Sequence, residues 1–354
     1  MKEVIARFAE RIRSAAAAKK PLCLRGGGSK DFYGQSLQGE ALDTRAYAGI
    51  VAYEPTELVI TVRGGTPLAE LDAALRAEGQ HLAFEPPQFG PGATVGGMVA
   101  AGLSGPRRAA AGAVRDFVLG VRMLDGRGDD VSFGGQVMKN VAGYDVSRAI
   151  AGSMGTLGLI LEVSLKVPPL PVAEATLKLE LPEDKAIGML NHWGGKPLPI
   201  SACAWTNGEL ALRLSGAASA VKAANESIGG ETMPADQANA FWRGIREQTD
   251  SFFSTDKPLW RLSVPSVTPP LALPGAQLIE WGGSLRWLVS NVDARTVREA
   301  AAQAGGHATL FRAMDKSAGV FTPLSPPLAK IHRNLKQAFD PAGIFNPGRM
   351  YPDL

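Results

Sequence analysis

A glycine-rich segment directly after a short apolar stretch has the clearest capacity for ligand chemistry in this sequence. Residues 22–24 are typical of a strand, and residues 25–30 follow as Arg-Gly-Gly-Gly-Ser-Lys. Three successive glycines permit positive φ angles and a close approach of the backbone to a ligand. Their N–H groups can converge on an anion such as a pyrophosphate. The spacing fits neither a G-x-G-x-x-G dinucleotide fingerprint nor a P-loop, and a plain flexible turn is the alternative interpretation.

A second segment of small residues strengthens the hypothesis of a cofactor site. After Pro86 and Pro87, residues 92–102 read Gly-Ala-Thr-Val-Gly-Gly-Met-Val-Ala-Ala-Gly. Such small side chains leave a floor against which a flat ring and a diphosphate can lie. Thr94 adds a hydroxyl near that floor. The alternative interpretation is a tightly packed Gly/Ala helix.

A third element again places glycines and hydroxyls between apolar stretches. It comprises residues 139–145 (KNVAGYD) and residues 152–158 (GSMGTLG). Tyr144 and Asp145 could simply hold this loop through a hydrogen bond, and Lys139 could be an ordinary surface charge.

Helical periodicity predicts the elements that position these segments. Residues 3–18 carry apolar side chains at helical spacing and predict an amphipathic helix. Thr66 and Pro67 are expected to be the N-cap and the first residue of a helix that Gly79 closes.

Strand patterns divide the chain into two regions. In the first region strands are predicted at residues 50–53, 59–62, 118–124 and 131–133, and residues 156–167 read as a strand pair. Pro168, Pro169 and Pro171 then mark a boundary. In the second region strands are predicted at residues 176–181, 200–205, 209–214, 259–264 and 277–281, with helices near 217–228 and 292–304. The second pattern is typical of an α+β domain with an antiparallel sheet, and residues 328–354 read as a helix with a Pro/Gly-rich return.

Composition excludes several classes of function. The chain has 354 residues and a net charge of only +3, and its basic residues neither cluster nor alternate with aromatics, so nucleic-acid binding is not expected. Cys23 and Cys203 fit no metal spacing and read as buried free thiols. Neither a signal peptide nor an apolar span is evident. A cytoplasmic protein is expected, and peripheral contact with the inner face of the cell membrane, through partners, stays open.

At these motifs the sequence resembles the vanillyl-alcohol-oxidase-type flavoproteins, whose cofactor domain is also called the PCMH-type FAD-binding domain. Within them it is similar to the FAD-binding (E) subunits of bacterial glycolate oxidases. The resemblance covers nearly the whole chain and is densest from 22 to 167. It rests on residues 25–34 (RGGGSKDFYG), 42–47 (LDTRAY), 93–105, 112–120 (GAVRDFVLG), 137–145 (VMKNVAGYD) and 345–351 (FNPGRMY).

The resemblance implies a fold and a cofactor position. An α+β fold is expected, with a two-subdomain PCMH-type FAD-binding domain (1–170), an α+β cap domain with an antiparallel sheet (171–320) and a C-terminal segment (321–354) that returns to the flavin domain. FAD would lie between the two subdomains. The residues that the resemblance implies as cofactor-binding are Arg25, Gly26, Gly27, Gly28, Ser29, Pro87, Thr94, Gly96, Gly97, Gly102, Ser104, Gly112, Asp116, Gly155, Gly158, Ile160 and Asn346.

Two departures from the family pattern bear on the chemistry. Many relatives attach FAD through a His after the first glycines or a Cys in the second loop, but this chain has Ser29 and Lys30 there and no Cys, so non-covalent FAD is expected. Catalytic relatives carry an H-x-G-D-G-N-x-H-type motif in the cap. Here His307 follows two glycines without a second His at the required spacing, so no metal site is predicted and His307 reads as structural.

The catalytic residues stay unassigned at this stage. In hydride transfer the flavin performs the redox chemistry, while protein groups orient the acid and take the hydroxyl proton. A substrate carboxylate normally needs an arginine fork. Arg107, Arg312 and Arg349 are the candidates, and Arg107-Arg108 reads equally well as a solvated pair or a subunit contact.

The function implied by the resemblance is that of an FAD-binding subunit in a glycolate (2-hydroxy-acid) oxidase or dehydrogenase complex. Such a complex would oxidise glycolate to glyoxylate and pass electrons through flavin to its partners. The implied partners are a catalytic flavin subunit and an iron–sulfur subunit, since this chain has no cysteine set for a cluster. A stand-alone FAD-dependent 2-hydroxy-acid dehydrogenase and a non-catalytic FAD-binding scaffold are the alternatives.

Overall fold

The helices lie mostly between strands, as the alternation of periodicities predicts. A computed structural model describes residues 1–135 and 145–354, so the interpretations of Lys139 and Tyr144 lie outside the described residues. The helices are α1 (Lys2–Ala18), α2 (Leu68–Ala77), α3 (Val95–Ala101), α4 (Arg108–Ala111), α5 (Val114–Phe117), α6 (Val146–Ile150), α7 (Glu183–Gly194), α8 (Ala218–Ile228), α9 (Ala235–Glu247), α10 (Ala294–Gln303) and α11 (Pro326–Phe339).

The strands form a parallel pair and two larger antiparallel sheets. They are β1 (Leu22–Arg25), β2 (Glu40–Asp43), β3 (Ile50–Glu54), β4 (Val59–Arg63), β5 (Val118–Leu124), β6 (Asp130–Gly134), β7 (Leu159–Lys166), β8 (Ala173–Glu180), β9 (Ile200–Thr206), β10 (Glu209–Gly216), β11 (Glu231–Thr232), β12 (Leu259–Ser263), β13 (Ala276–Glu280), β14 (Leu285–Val289) and β15 (His307–Arg312). The resulting architecture is α+β, as predicted.

The five-stranded sheet has the order β3-β4-β7-β5-β6 and carries the core of the first region. Its middle strand, β7, pairs with both β4 and β5 and is buried along nearly its whole length. The prediction of a strand pair at 156–167 is therefore wrong. A strand covered on both faces reads as a continuous apolar run, which gives no alternation from which to locate a turn.

Helix α1 and the C-terminal tail pack together against the β1–β2 pair. Phe8 and Ile12 of α1 share a core cluster with Leu22, Leu42 and Phe345. The Leu22 N–H donates to the Ile344 carbonyl, and the Asn346 N–H donates to the Leu22 carbonyl. The amphipathic helix predicted at 3–18 is thus confirmed, and the tail is joined to β1 beside the glycine-rich loop.

The N-cap prediction for α2 is wrong. Pro67, rather than Thr66, occupies the N-cap position, and the helix begins at Leu68. The Thr66 hydroxyl instead accepts a hydrogen bond from the Gly49 N–H at 2.8 Å and donates to the Gly49 carbonyl. A tertiary contact therefore uses the side chain that local sequence rules assign to the cap.

The second region forms an eight-stranded antiparallel sheet in the order β11-β8-β10-β9-β13-β14-β12-β15. The predicted antiparallel sheet is confirmed. Sequence reasoning missed α7, α9, β14 and β15, and the boundary predicted at 170 falls in the connection between β7 and β8.

One face of this sheet packs against the first region. There Trp242, Trp281 and Trp287 share a cluster with Tyr33 and Met154, which come from the first region. Five tryptophans of the second region are buried: Trp205, Trp242, Trp260, Trp281 and Trp287. Among the described residues, no helix combines the length and apolarity needed to cross a membrane.

Candidate functional site

The loop after β1 presents a row of free backbone donors. The N–H groups of Gly26, Gly27, Gly28 and Ser29 donate no hydrogen bond to any described residue. Consecutive free N–H groups in a glycine turn form a concave site for an anion. The loop therefore fits the pyrophosphate of a nucleotide cofactor.

Two of these glycines are required by sterics. A Cβ atom on Gly27 would overlap the carbonyl oxygen of Gly92, and one on Gly26 would collide with the Thr94 hydroxyl. The first and second glycine-rich segments therefore touch backbone to backbone. Any side chain at Gly27 would push the loops apart and open the cradle.

The second segment is a short helix rather than an open loop. Residues 95–101 form α3, which is the Gly/Ala helix that the sequence left as the alternative. Thr94 is its N-cap, with the hydroxyl oxygen accepting from the Gly97 N–H at 3.2 Å. Gly97, Ala100 and Ala101 still line the adjoining cleft, so α3 supplies the small-residue floor as well.

Two adjoining clefts run along this floor. One, of about 540 Å³, is lined by the loop after β1, α3, Met154, Asn346 and Arg349. The other, of about 390 Å³, continues past Gly96 to Gly155, Gly158 and Ile160. The predicted cofactor residues found at these clefts are Arg25, Gly26, Gly27, Gly28, Ser29, Thr94, Gly96, Gly97, Gly155, Gly158, Ile160 and Asn346.

The other five predicted cofactor residues line neither cleft. Pro87 is buried, and Gly102 ends α3 with a left-handed backbone. Ser104 accepts from the Val114 N–H, and Asp116 accepts from the Ala113 N–H, so both organise the turn around Gly112. Their contact with a cofactor stays a prediction.

Asn346 ties the tail to both sides of the cleft. Its side-chain oxygen accepts from the Leu24 N–H, and its amide donates to the Met154 carbonyl, both at 2.7 Å. Its φ of 40° is left-handed, a conformation that asparagine tolerates better than most residues. Asn346 therefore fixes β1 relative to the third segment.

A buried ion pair that sequence reasoning missed supports this tail. Lys336 on α11 lies 2.8 Å from Asp340 and donates to the carbonyls of Thr156 and Phe345. Asp340 accepts from the N–H groups of Ile344 and Phe345. The i, i+4 spacing of opposite charges on one helix was the available signal.

Lys30 contributes to the first cleft a positive charge that depends on pH. Its ammonium group donates to the Gln88 carbonyl at 3.2 Å and lies 5.6 Å from the centre of the Phe89 ring. Burial lowers the pKa of Lys30 to about 8, and the nearby Glu247 partly opposes that shift. Lys30 is therefore cationic at neutral pH but close to its titration range.

The three arginines predicted to take a substrate carboxylate are already engaged. Arg107 pairs with Glu85 and Glu174. The buried Arg349 donates to the carbonyls of Lys30, Asp31, Tyr33 and Gln35, and so clamps the loop after β1. Arg312 donates to Gln248. Two further arginines, Arg108 and Arg261, have no such partner among the described residues. The sequence suggested a solvated pair or a subunit contact for Arg108 and no role for Arg261, because the surroundings of both depend on the packing of distant segments.

His307 and the two cysteines show no arrangement that would support catalysis or metal binding among the described residues. His307 is partly exposed at the start of β15, opposite Ser263. Partial desolvation of its ring, and after it the charge of Arg261, lowers the pKa of His307. Cys23 and Cys203 are buried free thiols, as predicted, and burial raises the pKa of Cys203 to about 12. Within the described residues no three His, Cys, Asp or Glu side chains cluster closely enough to hold a metal ion.

Two family models match this chain. Residues 4–149 match the family described as "FAD binding domain". Residues 295–350 match "FAD linked oxidases, C-terminal domain". The first match contains the loop after β1 and α3, and the second contains the tail that carries Asn346.

Individual relatives agree with these family matches. The chain is 50% identical to the glycolate oxidase subunit GlcE of Escherichia coli over 345 residues, which are 98% of this chain and 97% of that protein. It is 33% identical to the glycolate oxidase subunit GlcD of Bacillus subtilis over 128 residues, 36% of this chain and 27% of GlcD. It is 32% identical to a mitochondrial cytochrome-type D-lactate dehydrogenase of Arabidopsis thaliana over 148 residues, 41% of this chain and 26% of that enzyme.

Among solved structures, an alkyldihydroxyacetonephosphate synthase shares the fold. The TM-score is 0.66 over 96% of this chain and 74% of the synthase, at 15% sequence identity. The two proteins therefore share the same fold.

Proposed function

Because this chain belongs to the family of the glycolate oxidase subunit GlcE, we propose that it is the FAD-binding subunit of a glycolate, or 2-hydroxy-acid, oxidase complex. The observation that carries the proposal is the glycine-built cradle, where free N–H groups and Lys30 meet the floor formed by α3. Oxidation of glycolate to glyoxylate removes two electrons and two protons from the substrate. Bound FAD would supply this two-electron chemistry.

FAD would bind in the two clefts that run along α3 and the loop after β1. In the proposal Gly26, Gly27 and Gly28 donate N–H groups to the pyrophosphate, and Lys30 adds a positive charge. Gly97 and Ala100 let the cofactor approach the axis of α3 closely. Neither cleft is lined by a described His or Cys side chain, which supports non-covalent binding.

The proposal includes a division of labour along the chain and with partners. Residues 1–170 would hold FAD, 171–320 would cover it, and 321–354 would close the cradle through Asn346. The partners would be a catalytic flavin subunit, to which the match with GlcD points, and an iron–sulfur subunit that removes electrons. The complex would be cytoplasmic and peripheral to the membrane through those partners.

An anaerobic spectrum of the isolated chain tests this function. The purified chain is expected to be yellow and to stay oxidised when glycolate is added without oxygen. Adding the catalytic flavin and iron–sulfur subunits should restore bleaching by glycolate and should give a complex that co-purifies. Two further compounds are compared with glycolate. D-lactate is a related hydroxy acid, and acetate is a carboxylate that lacks the hydroxyl group.

The other outcomes separate the competing functions. Bleaching of the isolated chain by glycolate would favour a stand-alone dehydrogenase. A colourless protein that ignores added FAD would favour a scaffold that does not use the cofactor. Failure to co-purify with either subunit would contradict membership of a complex.

A further inference from the structure

Trp281 stands at the junction of the two regions in a costly conformation. Its φ of 53° is left-handed, which is uncommon for any non-glycine residue and rare for one this bulky. The indole N–H donates to the Gly105 carbonyl at 3.0 Å, across the junction. Strained backbone of this kind persists where surrounding contacts enforce it, and it concentrates at ligand sites.

Two arginines share the Trp281 ring. The Arg108 guanidinium carbon lies 4.4 Å from the ring centre and that of Arg261 lies 5.1 Å from it. Arg108 belongs to α4 in the first region and Arg261 to β12 in the second. Alternation along β12 turns Arg261 to the same side as Leu259, which faces the first region.

Neither guanidinium forms an ion pair with a described residue, although the charge of Asp116 acts on Arg108 and that of Glu280 acts on Arg261. Arg108 and Arg261 form no hydrogen bond or ion pair with any residue that the structure describes. Burial lowers the pKa of Arg108, the charges of Arg261 and Arg115 lower it further, and the charge of Asp116 opposes that shift. Placing two like charges together in a partly buried setting is unfavourable unless an anion joins them.

The neighbouring polar groups add a donor rather than a counter-ion. The Tyr33 side chain is buried, and its hydroxyl has no hydrogen-bond partner among the described residues. Burial raises the pKa of Tyr33, and the nearby Arg261 acts in the opposite direction. Glu280 is an acid whose charge interacts with that of Arg261. Its carboxylate accepts a hydrogen bond from the Trp287 indole, however, and forms no ion pair with Arg261.

The adjacent arginine shows what a satisfied cluster looks like in the same junction. Arg107 lies next to Arg108 in sequence, yet it pairs with Glu85 and Glu174. Glu85 also pairs with Arg213 of β10, so two cations and two anions balance there. The cations around Trp281 lack this compensation.

We propose that Arg108, Arg261 and the Tyr33 hydroxyl form a site for a small carboxylate, with the Trp281 ring as its wall. The choice of a 2-hydroxy or 2-oxo acid as the ligand rests on the proposed function. Guanidinium groups bind carboxylates through paired hydrogen bonds, and a phenol can donate a further one. Tyr33 follows the cradle loop and shares a buried cluster with Trp281, so the site lies where the sheet of the second region packs against the first region.

Oxalate binding to the FAD-loaded chain tests the site without requiring turnover. Oxalate is a carboxylate that cannot be oxidised as an alcohol, and inorganic phosphate serves as the anion of another class. Oxalate is expected to bind in calorimetry and to change tryptophan fluorescence, and phosphate is expected to bind at least about tenfold more weakly. Arg261→Gln and Arg108→Gln should each weaken oxalate about tenfold, the loss expected for one charge-assisted pair.

Matched variants isolate the proposed residues. Arg295→Gln removes an exposed arginine from α10 and should leave oxalate binding unchanged. Trp281→Phe should abolish the fluorescence response while calorimetry still detects binding. Arg261→Lys keeps the charge and should retain part of the affinity, which covers the case in which Arg261→Gln fails to fold.

Several results would overturn the site. Absence of oxalate binding at millimolar concentrations in a folded, FAD-loaded protein would do so, as would equal binding of phosphate. Binding only after FAD has been stripped would mean that the cofactor itself occupies the arginines. Flavin absorbance is recorded in every sample, so a chain that never holds FAD would count against the proposed function, while a yellow chain that ignores oxalate would count against this site alone.

Discussion

The cradle after β1 and the sheet face around Trp281 meet their ligands in opposite ways. In the cradle the contacting atoms are backbone N–H groups, and the site depends on the lack of a side chain at Gly26 and Gly27. Around Trp281 the contacting atoms belong to long side chains, Arg108 and Arg261, brought together by packing of two regions.

This difference determines which amino-acid substitutions each region can tolerate. A backbone-built site fails when any side chain is added, since two loops touch at Gly27 and Gly92. A side-chain-built site fails one group at a time, because each guanidinium contributes separately.

Substitution of Gly27 by alanine should abolish retention of FAD. The new Cβ atom would overlap the Gly92 carbonyl, so the loop must move away from α3. We expect FAD affinity to fall about a hundredfold or more, equivalent to roughly 3 kcal/mol, in a flavin titration of the refolded protein.

The matched control for Gly27 is Gly188→Ala on α7. A Cβ atom there meets nothing within 4 Å, so affinity should be unchanged and stability slightly increased. Equal FAD affinity of the Gly27 variant and the Gly188 variant would contradict a cradle built from backbone.

Removal of the buried charge at Asp340 should be the most destabilising single change in the tail. Asp340→Asn leaves Lys336 buried without its counter-ion and weakens the hydrogen bonds to Ile344 and Phe345. The expected loss in the free energy of unfolding is about 3 kcal/mol, measured by urea denaturation. Glu299→Gln, which breaks an exposed i, i+4 pair on α10, should have no measurable effect, and a comparable loss there would refute the argument from burial.

Glu280 should make the second region sensitive to pH. Burial raises the pKa of Glu280 from 4.5 to about 7, although the Trp287 hydrogen bond and Arg261 oppose that shift. The folded state then holds more protons than the unfolded state between pH 4.5 and 7. The contribution of Glu280 to stability is therefore present below pH 4.5 and is lost as pH rises through 7.

Glu280→Gln keeps an acceptor for the Trp287 indole and removes the titration. Above pH 7 this variant should be more stable than the original chain by about 1–3 kcal/mol, with little difference at pH 4.5. His81, whose pKa burial lowers to about 4, contributes a slope of opposite sign in both proteins, so their difference isolates Glu280. Parallel unfolding curves at every pH would refute the assignment.

Lys30 should make FAD binding weaker at alkaline pH. With a pKa of about 8, Lys30 loses the charge that attracts a diphosphate as pH rises from 7 to 9. A decrease of up to about tenfold in affinity is expected for loss of one charge-assisted contact. Lys30→Met should flatten this profile and the exposed Lys20→Met should not, whereas a profile unchanged by Lys30→Met would exclude Lys30 from the cofactor site.

Thr94→Val should have the smallest effect. It removes the hydroxyl that accepts from the Gly97 N–H and should cost about 1 kcal/mol of stability, observed by thermal unfolding. Thr94→Ser retains the cap and should restore the loss. Equal stability of the valine and serine variants would show that the cap is dispensable.

The sequence allowed the cradle to be predicted better than the sheet face. The glycines at 26–28 and the small residues at 92–102 can be interpreted from the local sequence alone. Positive φ angles and a close approach of the backbone depend on the residue itself. Motif similarity also predicted the family, which the match with GlcE confirms. Local patterns failed where tertiary contacts decide: Thr66 bonds to Gly49 instead of capping α2, and β7 is buried on both faces.

The arginines illustrate the limit most clearly. Arg107 and Arg108 are adjacent and chemically identical, yet one is neutralised by Glu85 and Glu174 while the other faces Arg261. Nothing local distinguishes them, because Glu174 on β8 and Arg261 on β12 lie far along the chain. A charge acquires its role only when the distant residues that compensate it are known.

The most direct test of the central claim is the flavin content of the isolated chain. The visible spectrum and the protein concentration would be measured together, followed by acid precipitation. One FAD per chain is expected, all of it released into the supernatant, and none is expected in the Gly27→Ala variant. A colourless chain that takes up no FAD, or flavin that stays with the precipitated protein, would contradict a non-covalent cofactor held by the glycine cradle.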